Sequence, residues 1–323
     1  MDQQETSALL RTHRAGGATA VRLGLVGCGR LAEFGYLPAI RSTAGFHLVG
    51  VTDVNPARCG AIAPDVPAHR TIQDLITAGS LDCLVISTPT RCHLSDARCA
   101  TGAGLPTLLE KPPGVDVHEA RALLGLIPSP WIAFNRRFEP SLMSLKSRLP
   151  KRKDLNLRLE LHYRRASWRP FDMQDDALLD LGPHLIDLAR WLTCGTIVQA
   201  RASSLHDRRA EFDLDLDCGR ATIICSTNSP YRELVVVKDG RGGEQHTHAR
   251  GGLLAGVLAR LRPTQENPLV TSLRGQLQAF GQAIRGDRTS TQLATAGDGV
   301  AVMSTIAAVR QSAMKGGSSC PVG

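Results

Sequence analysis

The stretch VRLGLVGCGRLAE, residues 21–33, decides how the first half of this chain reads. Val21 to Val26 is a short, mainly apolar run, and Arg30 to Ile40 has the spacing of a helix. Between them Gly27, Gly29 and Ala32 form G-x-G-x-x-A. Such a triplet carries weight only when it leaves a strand and opens a helix, and here both flanks fit. Gly27 permits the tight turn, Gly29 lets a pyrophosphate approach the backbone, and Ala32 allows the helix to pack closely on the strand. The free N–H groups at the start of that helix face the phosphates, which places Arg30 and Leu31 with the glycines as cofactor contacts.

Working outward, HLVGVTD, DCLVIST, PTLLEK and WIAFN are short apolar runs separated by helical stretches. Strands that are apolar throughout and alternate with helices predict a parallel sheet covered on both faces. Asp53 ends the second strand, 24 positions after Gly29. A carboxylate there hydrogen-bonds ribose hydroxyls and repels a 2′-phosphate, so NAD is expected, with NADP the lesser alternative because Arg58 lies nearby. The competing reading is that Asp53 only caps the turn before NPAR.

Beyond Asn135 the pattern changes. LNLRLELHYRR, TIVQARASSL, AEFDLDLD, RATIICST and RELVVVKD follow one another with turns between them, several in period-two alternation. One helix around LIDLARWL interrupts them and two more close the chain. The expected fold is therefore α/β: a doubly wound parallel sheet (Rossmann) at residues 21–137, then an α+β domain with a mostly antiparallel open sheet at 138–315. Residues 1–20 and 316–323 are expected to be flexible tails.

Nine cysteines without a C-x-x-C pair suit small buried thiols in a reducing cytoplasm. No apolar run reaches the length of about 20 residues needed to span a bilayer, so no membrane partner is expected. The net charge of +8 favours anionic ligands, yet no groove-reading or base-stacking motif accompanies it, so no nucleic-acid partner is expected either. The HTH at His246 and His248 lacks neighbouring ligands, and no metal is expected.

Two constellations carry chemistry. In TLLEKPPG, residues 107–114, Lys111 stands at the carboxyl end of a strand, where open α/β sheets bind their ligands. Pro112 holds Lys111 extended, so the ammonium projects into the crevice. In LLDLGPHLIDLARWL, residues 178–192, Asp180 and His184 stand one turn apart, and Asp187 and Trp191 continue that side. Leu181, Leu185, Leu188 and Leu192 form the neighbouring apolar stripe. Pro183 predicts that the helix starts no earlier than about Leu179.

Taken together, GLVGCGRLAE, STPTRCHLSDA, EKP, AFNRRFEP, DLGPHLIDLARWL and AGDGVAVMSTIAAVRQS resemble the Gfo/Idh/MocA family of nicotinamide-dependent oxidoreductases from Val21 to about Lys315. The resemblance implies Lys111, Asp180 and His184 as the catalytic set. It implies Thr88, Pro89, His93 and Glu110 at the nicotinamide end of the cofactor site, and Asn135, Arg136 and Trp168 near the substrate. The expected reaction is hydride transfer at a hydroxyl or keto carbon of a sugar, cyclitol or related polyol. Open alternatives are a ketoreductase of a nucleotide-linked deoxysugar, an NAD-retaining epimerase, lyase or glycosidase without net redox change, and, least favoured, a non-catalytic sensor. Self-association through the C-terminal sheet is also expected.

Overall fold

The computed structural model describes residues 20–150, 154–168, 175–240, 245–251, 267–286 and 292–323. The expected N-terminal tail and the side chain of Trp168 lie outside the described residues. The first sheet contains β1 (Val21–Val26), β2 (Phe46–Thr52), β3 (Ala68–His69), β4 (Cys83–Ile86), β5 (Thr107–Leu109) and β6 (Trp131–Ile132). Its order is β3-β2-β1-β4-β5-β6 and every pair is parallel. The order therefore reverses between β1 and β4, where doubly wound sheets take their ligands.

A π-turn at Ala32–Tyr36 leads from the glycine turn into α1 (Leu37–Ser42). The remaining helices of this half are α2 (Pro56–Ile62), α3 (Ile72–Thr77), α4 (His93–Gly102) and α5 (Val117–Leu124). Asn55 caps α2 by accepting from the Ala57 N–H, and Asp116 caps α5 through Glu119. Both are side-chain acceptors satisfying otherwise unpaired donors of the first turn.

After α6 (Pro140–Arg148) the second sheet begins with β7 (Leu155–Arg164), followed by the long α7 (Ala177–Thr193). It continues through β8 (Ile197–His206), β9 (Arg209–Leu216), β10 (Gly219–Ser226), β11 (Asn228–Asp239) and β12 (Gln245–Gly251). Two helices follow, α8 (Pro268–Ile284) and α9 (Ala296–Met314), and then β13 (Cys320–Pro321). The order is β12-β11-β7-β10-β9-β8-β13; β7–β10 is the one parallel pair, and the others are antiparallel.

Three features depart from the sequence reading. Residues 316–323 are not simply a tail, because Cys320 and Pro321 pair with Ala200 and Gln199 on β8. Helix α7 starts at Ala177, with Asp176 as its cap and Pro183 inside it, two residues earlier than the proline suggested. The capping bond from the Leu179 N–H to Asp176, at 2.8 Å, supports a start ahead of that limit.

The third departure concerns the core. Helix α8 follows the second sheet in sequence but packs on the first domain. Leu273, Leu277 and Phe280 share a buried cluster with Val21, Leu25, Leu37 and Leu108, and the Phe280 ring meets Trp131 edge-on at 5.6 Å. The leucines of α7 behave as their stripe predicts: Leu181, Leu185, Leu188 and Leu192 are buried in one cluster with Leu157, Leu159 and Leu161 of β7. Leu185 is fully buried and Val54 is 99% exposed. Leu185→Ala is therefore expected to lose about 2–5 kcal/mol in urea unfolding. Val54→Ala should stay within about 0.5 kcal/mol of the parent.

Candidate active site

The glycine turn has the shape its sequence requires. Gly27 has φ +93°, and a Cβ there would lie 2.7 Å from the Ser87 carbonyl oxygen, so only glycine fits. A Cβ on Gly29 would meet nothing within 4 Å. The fold itself thus sets no requirement for glycine at 29, whereas a dinucleotide pressed against that backbone does.

Asp53 accepts from the Cys28 N–H at 2.7 Å and from the Asn55 N–H at 2.8 Å. It caps the turn, as the competing reading had it. Each carboxylate oxygen still keeps an acceptor site for a ribose hydroxyl. The residues present therefore fit a dinucleotide.

Lys111 follows β5, and its bond to Pro112 is cis. Its N–H donates to Glu110 at 3.0 Å, and its ammonium reaches into the second domain. There Nζ donates to the Asp180 main-chain oxygen at 3.0 Å and to Oδ1 at 3.3 Å. Asp180 lies in the first turn of α7 and is almost wholly buried. Its Oδ2 accepts from the Tyr163 hydroxyl and lies 3.5 Å from Arg165. One buried carboxylate thus gathers an ammonium, a phenol and a guanidinium. Burial and the Asp180 charge push the Tyr163 phenol well above its ordinary value.

His184 sits one turn further along α7, with Nδ1 buried and without a partner among the described residues. Burial first, then the charges of Lys111 and Arg136, hold its imidazole well below its ordinary value. Both cations come from the nucleotide-binding half, and His184, on α7, feels the charge of each. Asp187, expected on the same side, does not join the group. Its carboxylate accepts from Nε and Nη2 of the buried Arg137, with Nε at 2.8 Å. Trp191 instead lies under the Lys146 ammonium, 4.1 Å from the ring centre.

Of the residues expected around nicotinamide, several have polar atoms committed within the protein. Thr88 donates its hydroxyl to Asp96 at 2.7 Å. Both ring nitrogens of His93 lie 2.8 Å from main-chain oxygens, those of Thr88 and Pro112. Glu110 is buried beneath the Tyr36 hydroxyl at 2.7 Å, and burial raises its carboxyl. His93 and Glu110 thus hold the two loops on either side of the site in register. Pro89 opens the short 3₁₀ turn Thr90–Cys92 between them.

Near the expected substrate position, Asn135 donates to Ser272 at 3.0 Å, and Arg136 pairs with the buried Glu233. The Glu233 carboxylate also accepts from Tyr231 at 3.1 Å. Sequence reasoning missed Tyr163, Arg165, Tyr36 and Glu233. Tyr163 carried a usable signal, since it continues the every-second-residue series of buried leucines on β7.

The parts define a class: a doubly wound, dinucleotide-type parallel sheet followed by a mostly antiparallel one, with Lys111, Asp180 and Tyr163 joined where the two meet. Residues 21–129 match the model of the Gfo/Idh/MocA oxidoreductase family, described as an NAD-binding Rossmann fold. The chain is 28% identical over 302 residues to the rhizopine catabolism protein MocA of Rhizobium meliloti, covering 88% of this chain and 92% of that one. It is 34% identical over 131 residues to an inositol 2-dehydrogenase of the same species, a match covering 39% of either chain. A scyllo-inositol dehydrogenase from Lactobacillus casei, solved with NAD(H) and scyllo-inositol, superposes with a TM-score of 0.79 at 18% identity. That superposition covers 94% of this chain and 99% of the other and shows a shared fold.

The depressed His184 has a consequence for stability. An unfolded histidine titrates near 6.5, so below about that pH the unfolded chain binds a proton that folded His184 refuses. Stability contributed there is present above about pH 6.5 and declines as pH falls, by up to about 1.4 kcal/mol per pH unit, until the folded value is reached. His93, His162 and His248 are shifted the same way and add to the slope. Urea unfolding between pH 7.5 and pH 5.5 should show falling stability, and His184→Gln should flatten that dependence by about one proton's worth.

Proposed function

We propose that the chain is an NAD-dependent oxidoreductase moving a hydride between nicotinamide and a hydroxyl-bearing carbon of a cyclitol, sugar or related polyol. The observation that carries this reading is the junction at Asp180, where Lys111 from the nucleotide domain meets the helix that presents His184. The family of the nucleotide domain supports the redox class. The inositol dehydrogenase and MocA relatives support the substrate class.

Nicotinamide, when bound, supplies the hydride acceptor or donor. The rest falls to this chain's side chains. His184, kept neutral by burial and neighbouring cations, takes the hydroxyl proton during oxidation and returns it during reduction. Lys111 hydrogen-bonds the same oxygen and stabilises its developing negative charge. Asp180 holds the Lys111 ammonium in place and is itself held by Tyr163 and Arg165. The buried His184 Nδ1, Arg136 Nε and Arg165 Nε have no partner among the described residues, and the hydroxyl groups of a polyol suit them.

The nucleotide-linked deoxysugar reading is weakened by charge pairing. Arg136 is matched by Glu233, and Arg137 by Asp187 and Asp298, so neither offers an uncompensated cation to a diphosphate. A reaction without net redox change is a second reading. A screen of cyclitols, sugars and sugar nucleotides, with and without added NAD, tests both when nicotinamide absorbance and product identity are followed together. Net NADH formation from a neutral polyol supports the first reading. Product without absorbance change supports the second.

The proposal includes a cytoplasmic setting, in keeping with nine free cysteines, and self-association through the exposed face of the C-terminal sheet. Light scattering in solution reads the latter.

Asp53 should make NAD(H) bind at least tenfold more tightly than NADP(H), a gap of about 1.4 kcal/mol measurable by calorimetry. Equal affinities would show that Asp53 acts only as a cap. Lys111→Met and His184→Ala should each leave NAD affinity nearly unchanged, because both are assigned to the reacting end of the site and not to the pyrophosphate turn. Each should lower turnover on the identified substrate by about 100-fold or more. Steady-state kinetics would remove either residue from its assigned role if its variant kept near-normal turnover.

A further inference from the structure

Two arginines lie beside the glycine turn, and adjacent residues of the π-turn engage both. The Arg30 guanidinium stands over the Phe34 ring at 4.8 Å. Arg58, on the first turn of α2, donates from Nε to the Cys28 carbonyl at 3.1 Å and from Nη2 to Glu33 at 2.8 Å. Cys28 is also the residue whose N–H is held by Asp53. Arg58, Cys28 and Asp53 therefore form one chain of contacts around the point where a dinucleotide of this fold places its adenosine ribose. An arginine at that place is the usual means of accepting a 2′-phosphate. Here the arginine is present but committed elsewhere.

We infer that Glu33 is a specificity-determining residue for the cofactor, keeping Arg58 from a 2′-phosphate beside Asp53. The inference rests on the dinucleotide reading above and deepens it. Asp53 alone opposes a phosphate by charge and spends its two oxygens partly on backbone N–H groups. Glu33 adds a second carboxylate and neutralises the nearby cation. The Arg58 and Glu33 side chains are 25% and 34% exposed, so solvent weakens their pair and its removal has a moderate effect. NAD, which lacks the 2′-phosphate, makes no demand on Arg58 and is indifferent to the pair.

Calorimetry of the full chain with NAD(H) and NADP(H) tests this. Glu33→Gln should tighten NADP(H) binding about 3- to 5-fold while NAD(H) affinity stays within about twofold, an effect of the size expected for one partly exposed ion pair. Adding Arg58→Ala to that variant should return NADP(H) affinity to the parent value. An unchanged NAD:NADP ratio in Glu33→Gln overturns the inference and leaves the dinucleotide reading standing. A gain that survives Arg58→Ala also overturns it, by showing that loss of one carboxylate sufficed. Binding of neither cofactor by the parent overturns both readings. Glu33→Ser provides a second variant with the same expected outcomes if circular dichroism shows Glu33→Gln to be unfolded.

Discussion

The ammonium of Lys111 leaves the end of one sheet and finds its partners on a helix that belongs to the other, and the architecture on both sides is arranged around that crossing. Its backbone is fixed by Pro112 and by the bond to Glu110, which is itself held by Tyr36. Its target is fixed by Tyr163 and Arg165 from β7 and the turn after it. A buried ion pair of this kind is weak support for stability, because desolvation offsets most of the attraction. What it provides is position. An ammonium with main-chain and carboxylate acceptors in a single turn of helix has little freedom to wander, and His184 takes its place from the same helix.

Much of this was legible in the sequence where the signal is local. The glycine turn is a short-range pattern, and so are the strand-end lysine, the spacing of Asp180 and His184, and the leucine stripe of α7. Each fixes its own geometry through backbone sterics or helical period. What escaped was set by partners distant in the chain. Asp187 shares helical phase with Asp180, yet Arg137, fifty positions earlier, draws it into a buried pair. Asn135 finds Ser272, and Arg136 finds Glu233, across separations no periodicity encodes. The strand at Cys320–Pro321 exists because β8 leaves an edge for it to pair with, and its own sequence resembles a tail.

Charge behaves similarly. The net +8 suggests a chain suited to anions. Around the site the balance is different: Arg136 and Arg137 are each matched by buried carboxylates. Asp180 in turn is matched by Lys111 and Arg165. The composition records how many cations the protein has, but the contacts decide how many of them a ligand can use. A neutral, hydroxyl-rich molecule is well suited to such surroundings, because it needs donors and acceptors and not a net field.

The docking of α8 on the first sheet has a consequence for how the chain is made. Val270, Leu273, Leu277, Ala279 and Phe280 of α8, with Leu293, complete a core whose other buried members lie between Val21 and Phe138. On the ribosome, the nucleotide-binding half must wait for roughly 140 further residues before its last face is covered. At about 5–20 residues per second, that interval is on the order of 10 s. During that time Trp131 and the apolar side of α1 lack the helix that covers them in the finished protein. Chaperone engagement on nascent chains should therefore persist past the end of the first domain and fall away only once α8 has emerged.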